Sequence, residues 1–191
     1  MNSLAFVKQF LGHPAQTGAI HPSSPYLARQ IVKTADIRSD SAVLELGPGT
    51  GVFTKEIAQT LSTSNTFLAI EINKAFAQLT QQRCPRVTVI HDSAAHARQH
   101  LNALGLEYSD RIISGLPWAA FDPQLQDTLI SAVLDCLPIG GRFVTFAYLQ
   151  GLLLPAGRRF KRKLQAYFTR IGHSPTVWRN LPPALVYWAE K

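Results

Sequence analysis

Between Val43 and Gly51 the chain reads Val-Leu-Glu-Leu-Gly-Pro-Gly-Thr-Gly, and this run limits what the rest can fold into. A short buried strand breaks into a loop with glycine at 47, 49 and 51, and a helical pattern follows from Val52 to Leu61. So tight a turn needs backbone with positive φ and no side chain in the way of an approaching ligand, which alternating glycine supplies. About 20 residues further on, Glu71 closes a second apolar strand, Phe67-Leu68-Ala69-Ile70-Glu71. A carboxylate there can accept hydrogen bonds from both hydroxyls of a ribose, its role in nucleoside-binding α/β folds. Strand, glycine loop, helix, strand and acid, in that order, predict an open α/β sheet that binds a nucleoside.

The spacing Glu-x-Gly-x-Gly-x-Gly separates the loop from the dinucleotide fingerprint Gly-x-Gly-x-x-Gly, whose third glycine lets a helix pack close over a pyrophosphate. No Gly-Lys-Ser/Thr follows, so it is not a phosphate-binding P-loop. The loop resembles motif I of the class I S-adenosylmethionine (SAM) methyltransferases. That resemblance implies SAM as cofactor and S-adenosylhomocysteine as product. Gly47, Gly49, Thr50 and Gly51 then pass under the methionine part, Glu45 lies near its amino-acid end, and Glu71 holds the ribose with Ile72 beside it.

From residue 43 onward apolar runs alternate with helical segments, the pattern of a doubly wound sheet. Strands are expected at 43–46, 67–71, 87–90, 111–114 and 143–148, with helices at about 52–61, 73–83, 94–104 and 123–137. Asn73 is a plausible cap for the second helix, and Asp122-Pro123 starts the fourth with proline at its first position. A basic helix at about 157–171 is followed by two strands around Pro182-Pro183. The expected architecture is α/β: a Rossmann-like, class I methyltransferase sheet of seven strands with a C-terminal antiparallel hairpin and an N-terminal helical extension. Residues 1–191 read as one domain, with 1–40 as a helical lid or membrane-contact segment and 41–191 as the SAM-binding core.

Charge narrows the choice of partner. Nineteen Lys+Arg against twelve Asp+Glu give a net charge of +7, which favours an anionic partner, nucleic acid or an acidic membrane surface. No apolar run of about 20 residues is present and the start does not resemble a signal peptide, so the expectation is a cytoplasmic protein, peripheral on the inner face of the membrane. Cys84 and Cys136 lack metal-ligand spacing and read as free core thiols. His96 and His100 lie four apart on one helix, with no carboxylate or Cys expected to join them, so they read as solvent-facing; no metal site is expected.

Three further places carry chemistry. His91-Asp92-Ser93 ends the third strand; the resemblance implies that Asp92 and Ser93 contact the adenine, while either also suits a helix N-cap. Ser114-Gly115-Leu116-Pro117-Trp118 ends the fourth strand at the carboxyl edge, where ligands of such sheets bind. Methyltransferases of base amino groups carry Asn-Pro-Pro-Tyr or Asn-Leu-Pro-Tyr here, so Ser114 is placed with the cofactor-contacting residues but lacks the amide oxygen. Trp118 is expected as an aromatic wall for a growing cation, with Tyr26 and Tyr148 lining the amine. At the amino end, Leu4, Phe6, Val7, Phe10 and Leu11 form an apolar stripe that reads equally as a core cap or an interfacial helix. Arg158, Arg159, Lys161, Arg162 and Lys163 make a basic helix face beside the apolar Leu149–Pro155 loop, suited to a membrane surface or to plain solvation.

Taken with Gly18-Ala19-Ile20-His21-Pro22-Ser23-Ser24, Phe146-Ala147-Tyr148 and Arg179-Asn180-Leu181-Pro182-Pro183-Ala184, the chain resembles the bacterial phospholipid N-methyltransferases over nearly its whole length. This implies methyl transfer to the headgroup amine of phosphatidylethanolamine and its methylated forms, with an anionic membrane surface and the phospholipid as partners. Two alternatives stand beside it: an enzyme like the ribosomal RNA adenine-N6 dimethyltransferases, which share the Leu-Glu-x-Gly-Pro-Gly loop, and a non-catalytic SAM-binding protein.

Overall fold

The computed structural model describes residues 23–38, 41–62 and 64–191. The apolar stripe at residues 4–11 and the loop through Pro22 lie outside the described residues.

Three strands, β1 (Val43–Leu46), β2 (Phe67–Glu71) and β4 (Arg111–Ser114), are buried along their entire length, polar residues included, as parallel strands covered on both faces are. With β3 (Thr88–His91), β5 (Arg142–Tyr148), β6 (Arg170–His173) and β7 (Ala184–Glu190) they form one sheet in the order β3-β2-β1-β4-β5-β7-β6. The first five strands are parallel and β7 runs antiparallel to both β5 and β6. The chain starts in the middle, steps outward to β3, and returns to lay β4 beside β1. Leu46 pairs with both Ile70 and Ser114, so the carboxyl ends of β1, β2 and β4 finish level at this switch point.

The alternation of side chains along each strand separates two apolar layers. Leu44, Leu68, Ile112 and Phe143 face one layer with Leu129, Val133 and Phe160; Val43, Ala69, Ile113 and Val144 face the other with Leu27, Ile31 and Ile57. Helices contributing to the two layers include α1 (Pro25–Ala35), α2 (Val52–Thr60), α3 (Lys74–Arg83), α4 (Ala97–Ala103) and α5 (Pro123–Cys136). α1 begins where the Ser24 hydroxyl accepts from Leu27 N–H, with Pro25 at a position that needs no donor, and it buries Leu27, Ala28, Ile31 and Ala35. Asn73 and Asp122 cap α3 and α5 as their sequence positions predict. Cys84 and Cys136 are buried free thiols.

The carboxy-terminal third differs from expectation. The apolar loop at 149–155 is a short helix, α6 (Leu149–Leu153), and proline at 155 opens a separate one, α7 (Pro155–Tyr167). Phe168 turns extended and the last part of the expected basic helix is β6 instead. The hairpin partner of β7 is therefore Arg170–His173, while 174–183 crosses the carboxyl edge with one isolated bridge, Val177 to Ala184. The third expected helix is likewise a 3₁₀ turn, Ala94–His96, followed by α4.

Gly172 explains why β6 can lie where it does. A Cβ there would sit 2.5 Å from the Trp188 ring, which is itself flanked by the Arg142 and Arg170 guanidinium groups. Gly172→Ala is expected to lower unfolding free energy by about 1–3 kcal/mol through overpacking, read as an earlier urea midpoint with unchanged slope. An unaltered midpoint would show that the ring moves aside freely.

Candidate functional site

The site grows from the level carboxyl ends of β1, β2 and β4. Gly47 and Gly49 turn the chain at φ 72° and 57°, a region that disfavours side chains. The space a Cβ would enter at Gly49 is open, whereas at Gly47 it would meet Leu116 at 2.6 Å. The loops after β1 and β4 touch directly: a Cβ on Gly115 would stand 2.3 Å from the Gly47 carbonyl oxygen. Thr80 of α3 donates its hydroxyl to Gly49 O at 2.9 Å, and the Arg83 guanidinium donates to Thr50 O. The sequence gives Thr80 and Arg83 no role and marks Gly115 only as part of the element after the fourth strand. Gly115 was visible as a glycine following a buried strand, but Thr80 contacts a residue 31 positions away and left no local mark.

Glu71 is almost fully buried, at 1% exposed. Its Oε2 accepts from Gly49 N–H at 2.9 Å and its Oε1 from Asn73 N–H at 2.8 Å, so the acid pins the glycine loop to the start of α3. Burial raises its pKa, against those N–H bonds and the nearby His91. Each oxygen retains a lone pair after these bonds, which leaves acceptors for a diol. Ile72 is half-buried, and its carbonyl lies 3.1 Å from the His91 Nε2.

Glu45, on the same face of the sheet, is fully buried, and neither carboxylate oxygen has a hydrogen-bond partner among the described residues. Burial drives its pKa to about 8, the Thr54 hydroxyl opposing and the Glu71 charge adding. Thr54 stands close enough to act electrostatically, yet its hydroxyl also falls short of a hydrogen bond. A buried orphan carboxylate below an open glycine loop fits a ligand that brings its own cation, such as the ammonium of an amino acid. The cradle at Gly49 and the paired acids thus suit the SAM expectation.

At the end of β3, Asp92 meets both histidines, correcting the expectation that no carboxylate joins them; His96 is exposed as expected, whereas His100 is half-buried. It accepts from His96 Nδ1 at 3.0 and 3.2 Å, from His100 Nε2 at 2.7 Å and from Ser93 N–H at 2.7 Å. Burial alone would raise its pKa, but the bonds from His100, Ser93 and His96 bring it down to about 2. The Ser93 hydroxyl caps the following turn at Ala95 N–H. Among the described residues no cluster of His, Cys, Asp or Glu is arranged to hold a metal ion.

Ser114 and Trp118 depart from their expected places, and for one shared reason. Trp118 is 3% exposed and stacks on Phe160 at 4.6 Å with a 16° interplanar angle, with Phe121 and Phe143 at its edges. A buried indole needs an acceptor for its N–H, and Ser114 Oγ supplies it at 3.1 Å while also accepting from Leu116 N–H at 3.2 Å. The Ser114 carbonyl accepts from Thr145 Oγ1 at 2.9 Å. Ser114 is fully buried, so its oxygens are spent inside the fold, and Trp118 is a core side chain with a covered face.

Tyr148 stands at the carboxyl edge of the sheet. It ends β5, packs edge-on against Phe146 at 5.3 Å, and Phe146 packs on Phe53 at 5.6 Å, forming an aromatic row on the Glu45 face. Burial raises the Tyr148 pKa. Tyr26 is 43% exposed at the start of α1, and the Arg29 and Arg179 guanidinium groups each lie 5.0 Å from its ring. Surface hollows of about 250 Å³ and 200 Å³ open elsewhere, the first beside Arg38 and Arg111 at the amino edge of the sheet, the second beside Gln30 and Trp188. Neither includes a glycine-loop residue; the chemistry-bearing groups converge at the opposite, carboxyl edge.

Residues 21–105 match the family model described as ribosomal RNA adenine dimethylase. The ornithine lipid N-methyltransferase of Singulisphaera acidiphila is 30% identical over 186 residues, which cover 96% of this chain and 93% of that protein. The ribosomal RNA small subunit methyltransferase A of Thermotoga neapolitana is 27% identical over 109 residues, but this match covers 57% of the chain and 40% of that enzyme. Among solved structures, an O-methyltransferase from Bacillus cereus in complex with S-adenosylhomocysteine superposes with a TM-score of 0.69 at 18% identity, covering 99% of this chain and 90% of that one. TrmN from Thermus thermophilus gives 0.65 at 20% identity, covering 87% and 48%.

Glu45 yields a pH prediction with a fixed sign. Its folded pKa, about 8, lies above the ordinary 4.5, so between those values the folded chain keeps a proton that the unfolded chain has released. Ligand-free stability from this group is therefore lost as pH rises through that window. Glu45→Gln should melt with the wild type near pH 4 and above it at pH 8; a difference flat with pH would refute the buried neutral acid. SAM binding at pH 7 should also release a proton from the wild type only, seen as a binding enthalpy that varies with buffer.

Proposed function

We propose that this chain, which belongs to the class I SAM-dependent methyltransferases and to the family of the ornithine lipid N-methyltransferase, methylates the headgroup amine of a membrane lipid, phosphatidylethanolamine and its methylated forms. The observation that carries this reading is the buried Ser114–Trp118 pair. An enzyme that grips the flat amino group of a base needs an exposed amide oxygen and an open aromatic face at this element, and here both have been turned into core. The relatives agree in direction: the lipid enzyme matches along nearly its whole length, the ribosomal RNA enzyme along 40% of its own.

SAM supplies an electrophilic methyl on its sulfonium. The chain's part is to hold the cofactor and to present a neutral amine in line with that methyl. Glu45 takes the cofactor's ammonium, and Glu71 the ribose hydroxyls through its remaining lone pairs. Gly47, Gly49, Thr50 and Gly51 let the methionine part lie against bare backbone. Asp92, Ser93 and Ile72 border the adenine; because Asp92 already serves two histidines, its contact with the ring's amino group requires one imidazole to yield. An alkyl ammonium with a pKa of about 10.4 is only about 0.04% neutral at pH 7, so the site must favour loss of its proton. The row Phe53, Phe146 and Tyr148 does this by excluding water, and the Tyr148 hydroxyl is the side-chain group nearest in kind to an acceptor for the amine.

Access from a membrane depends on what the carboxyl edge exposes. Leu153 is 71% exposed, and on α7 Arg158, Lys161 and Arg162 face outward while Phe160 and Leu164 are buried. Lys163 is drawn inward to Asp127 and the Pro123 carbonyl, so it leaves the membrane-facing set. No helix among the described residues is long and apolar enough to cross a membrane; the contact proposed is peripheral, at the inner surface of a bilayer.

Incubation with radiolabelled SAM should place label in phosphatidylethanolamine vesicles containing anionic lipid, and in the mono- and dimethyl lipids, with ribosomal RNA at background. Label in RNA and none in lipid would overturn the assignment. Reversing Arg158, Lys161 and Arg162 to Glu should lower activity on anionic vesicles and leave SAM affinity intact. That loss should shrink with salt, since screening acts over about 10 Å at 0.1 M. An equal loss on neutral micelles would remove the membrane role of this face.

A further inference from the structure

The turn from Ser174 to Pro183 exposes Trp178 and Arg179 at the carboxyl edge, and the binding of SAM and the alignment of the amine make no use of it. Its location is fixed by register. Ala184 pairs with Tyr148, and Leu149 N–H donates to Pro183 O at 3.0 Å, so the turn borders the end of β5. Asn180, 3% exposed, makes it rigid: its Oδ1 accepts from Ser24 N–H at 2.9 Å and its Nδ2 donates to Pro182 O at 2.7 Å. The residue before it, Arg179, is thereby aimed at the start of α1. There its guanidinium lies 5.0 Å from the Tyr26 ring and donates to the phenol oxygen at 3.2 Å. Arg29 places a second guanidinium 5.0 Å from the same ring.

Among the described residues neither arginine has a carboxylate at ion-pair distance, in contrast to Arg38, Arg111, Arg142 and Arg170, each of which does. Two permanent cations held on one aromatic spacer, beside the partial positive charge of a helix start, form an unneutralised site for an anion. The same arrangement repels an ammonium, so Tyr26 belongs with this site and not with the amine. Trp178 and Leu181, 72% and 75% exposed, flank Arg179 on the turn and provide apolar anchors of the kind that sit at a lipid interface.

Resting on the lipid-amine reading, we infer that Arg29 and Arg179 bind the anionic group of the substrate's headgroup, while Trp178 and Leu181 seat its acyl region. The shared chemistry is an oxyanion a few bonds from an amine: a phosphodiester in a phospholipid, a carboxylate in an amino-acid lipid. Planar guanidinium forks suit either through paired N–H donors. The site therefore orients the headgroup, so that the amine enters amine-end first and the anion remains at the rim.

The test uses the full chain saturated with SAM and three short-chain ligands below their micelle concentrations: phosphatidylethanolamine, an N-acylated ornithine amphiphile and a diacylglycerol of matched chains. Calorimetry should show one charged lipid bound at least about tenfold tighter than the diacylglycerol, the preferred one identifying phosphate or carboxylate as the anion. Arg29→Gln and Arg179→Gln should each cut that preference roughly tenfold, and together abolish it, with SAM and diacylglycerol affinities unchanged. A wild type without preference, or a double variant that keeps it, overturns the inference. Should Arg179→Gln not fold, Arg29→Gln decides, since its side chain lies on the exposed face of α1. If neither charged lipid accepts label yet the arginine-dependent preference persists, the acceptor assignment falls and the anion site stands.

Discussion

The Glu71 carboxylate bridges the glycine loop and the start of α3, and the geometry of the carboxyl edge depends on that bridge. Without it the half-buried N–H groups of Gly49 and Asn73 would lose their protein partner. Its neighbour contact, the close approach of Gly115 to the Gly47 carbonyl, sets how near the loops after β1 and β4 can come. The first interaction fixes the loop's height and the second its lateral position. Together they leave an open space above Gly49, with the uncompensated Glu45 beneath. Stability and binding are opposed there: Glu45 makes the ligand-free fold less stable at higher pH and gives the ligand's charge somewhere to go.

The end of β4 shows a different economy. Two departures from the Asn-Leu-Pro-Tyr pattern, serine at 114 and tryptophan at 118, look independent in the sequence and are one hydrogen bond in the structure. The hydroxyl is short enough to stay inside the turn and the indole is large enough to reach back and fill the layer against Phe160 and Phe143. An element that serves recognition in base methyltransferases becomes packing. On the proposed lipid-amine reading, recognition falls instead to the edge of β5, the start of α1 and the turn before β7, all of which border solvent.

How much was legible tracks the range of the interactions. β1, β2 and β4 were read to the residue because their apolar runs, glycines and caps lie within a few positions of one another. The glycine loop and its two acids were legible for the same reason. The inward places of Ser114 and Trp118 and the pairing of Asp92 with His96 and His100 were not legible, because each depends on a partner whose orientation the local sequence does not encode: an indole turned inward, or imidazoles one and two helical turns onward. β6 was hidden inside a basic amphipathic pattern, and only the flat Trp188 ring across the hairpin makes sense of Gly172. The arginines around Tyr26 come from segments about 150 residues apart, beyond any periodicity.

The bond from Ser24 to Asn180 spans 156 positions and closes the chain on itself. α1 also packs against β5 and β7, among the last strands to be synthesised. During translation the strands that carry the glycine loop emerge and can pair well before the helix that precedes them has its sheet partners or its clasp. α1 is thus made before these strands and set in place after them. A product truncated before residue 180 would retain the strands that carry the glycine loop and lose the clasp that holds the start of α1.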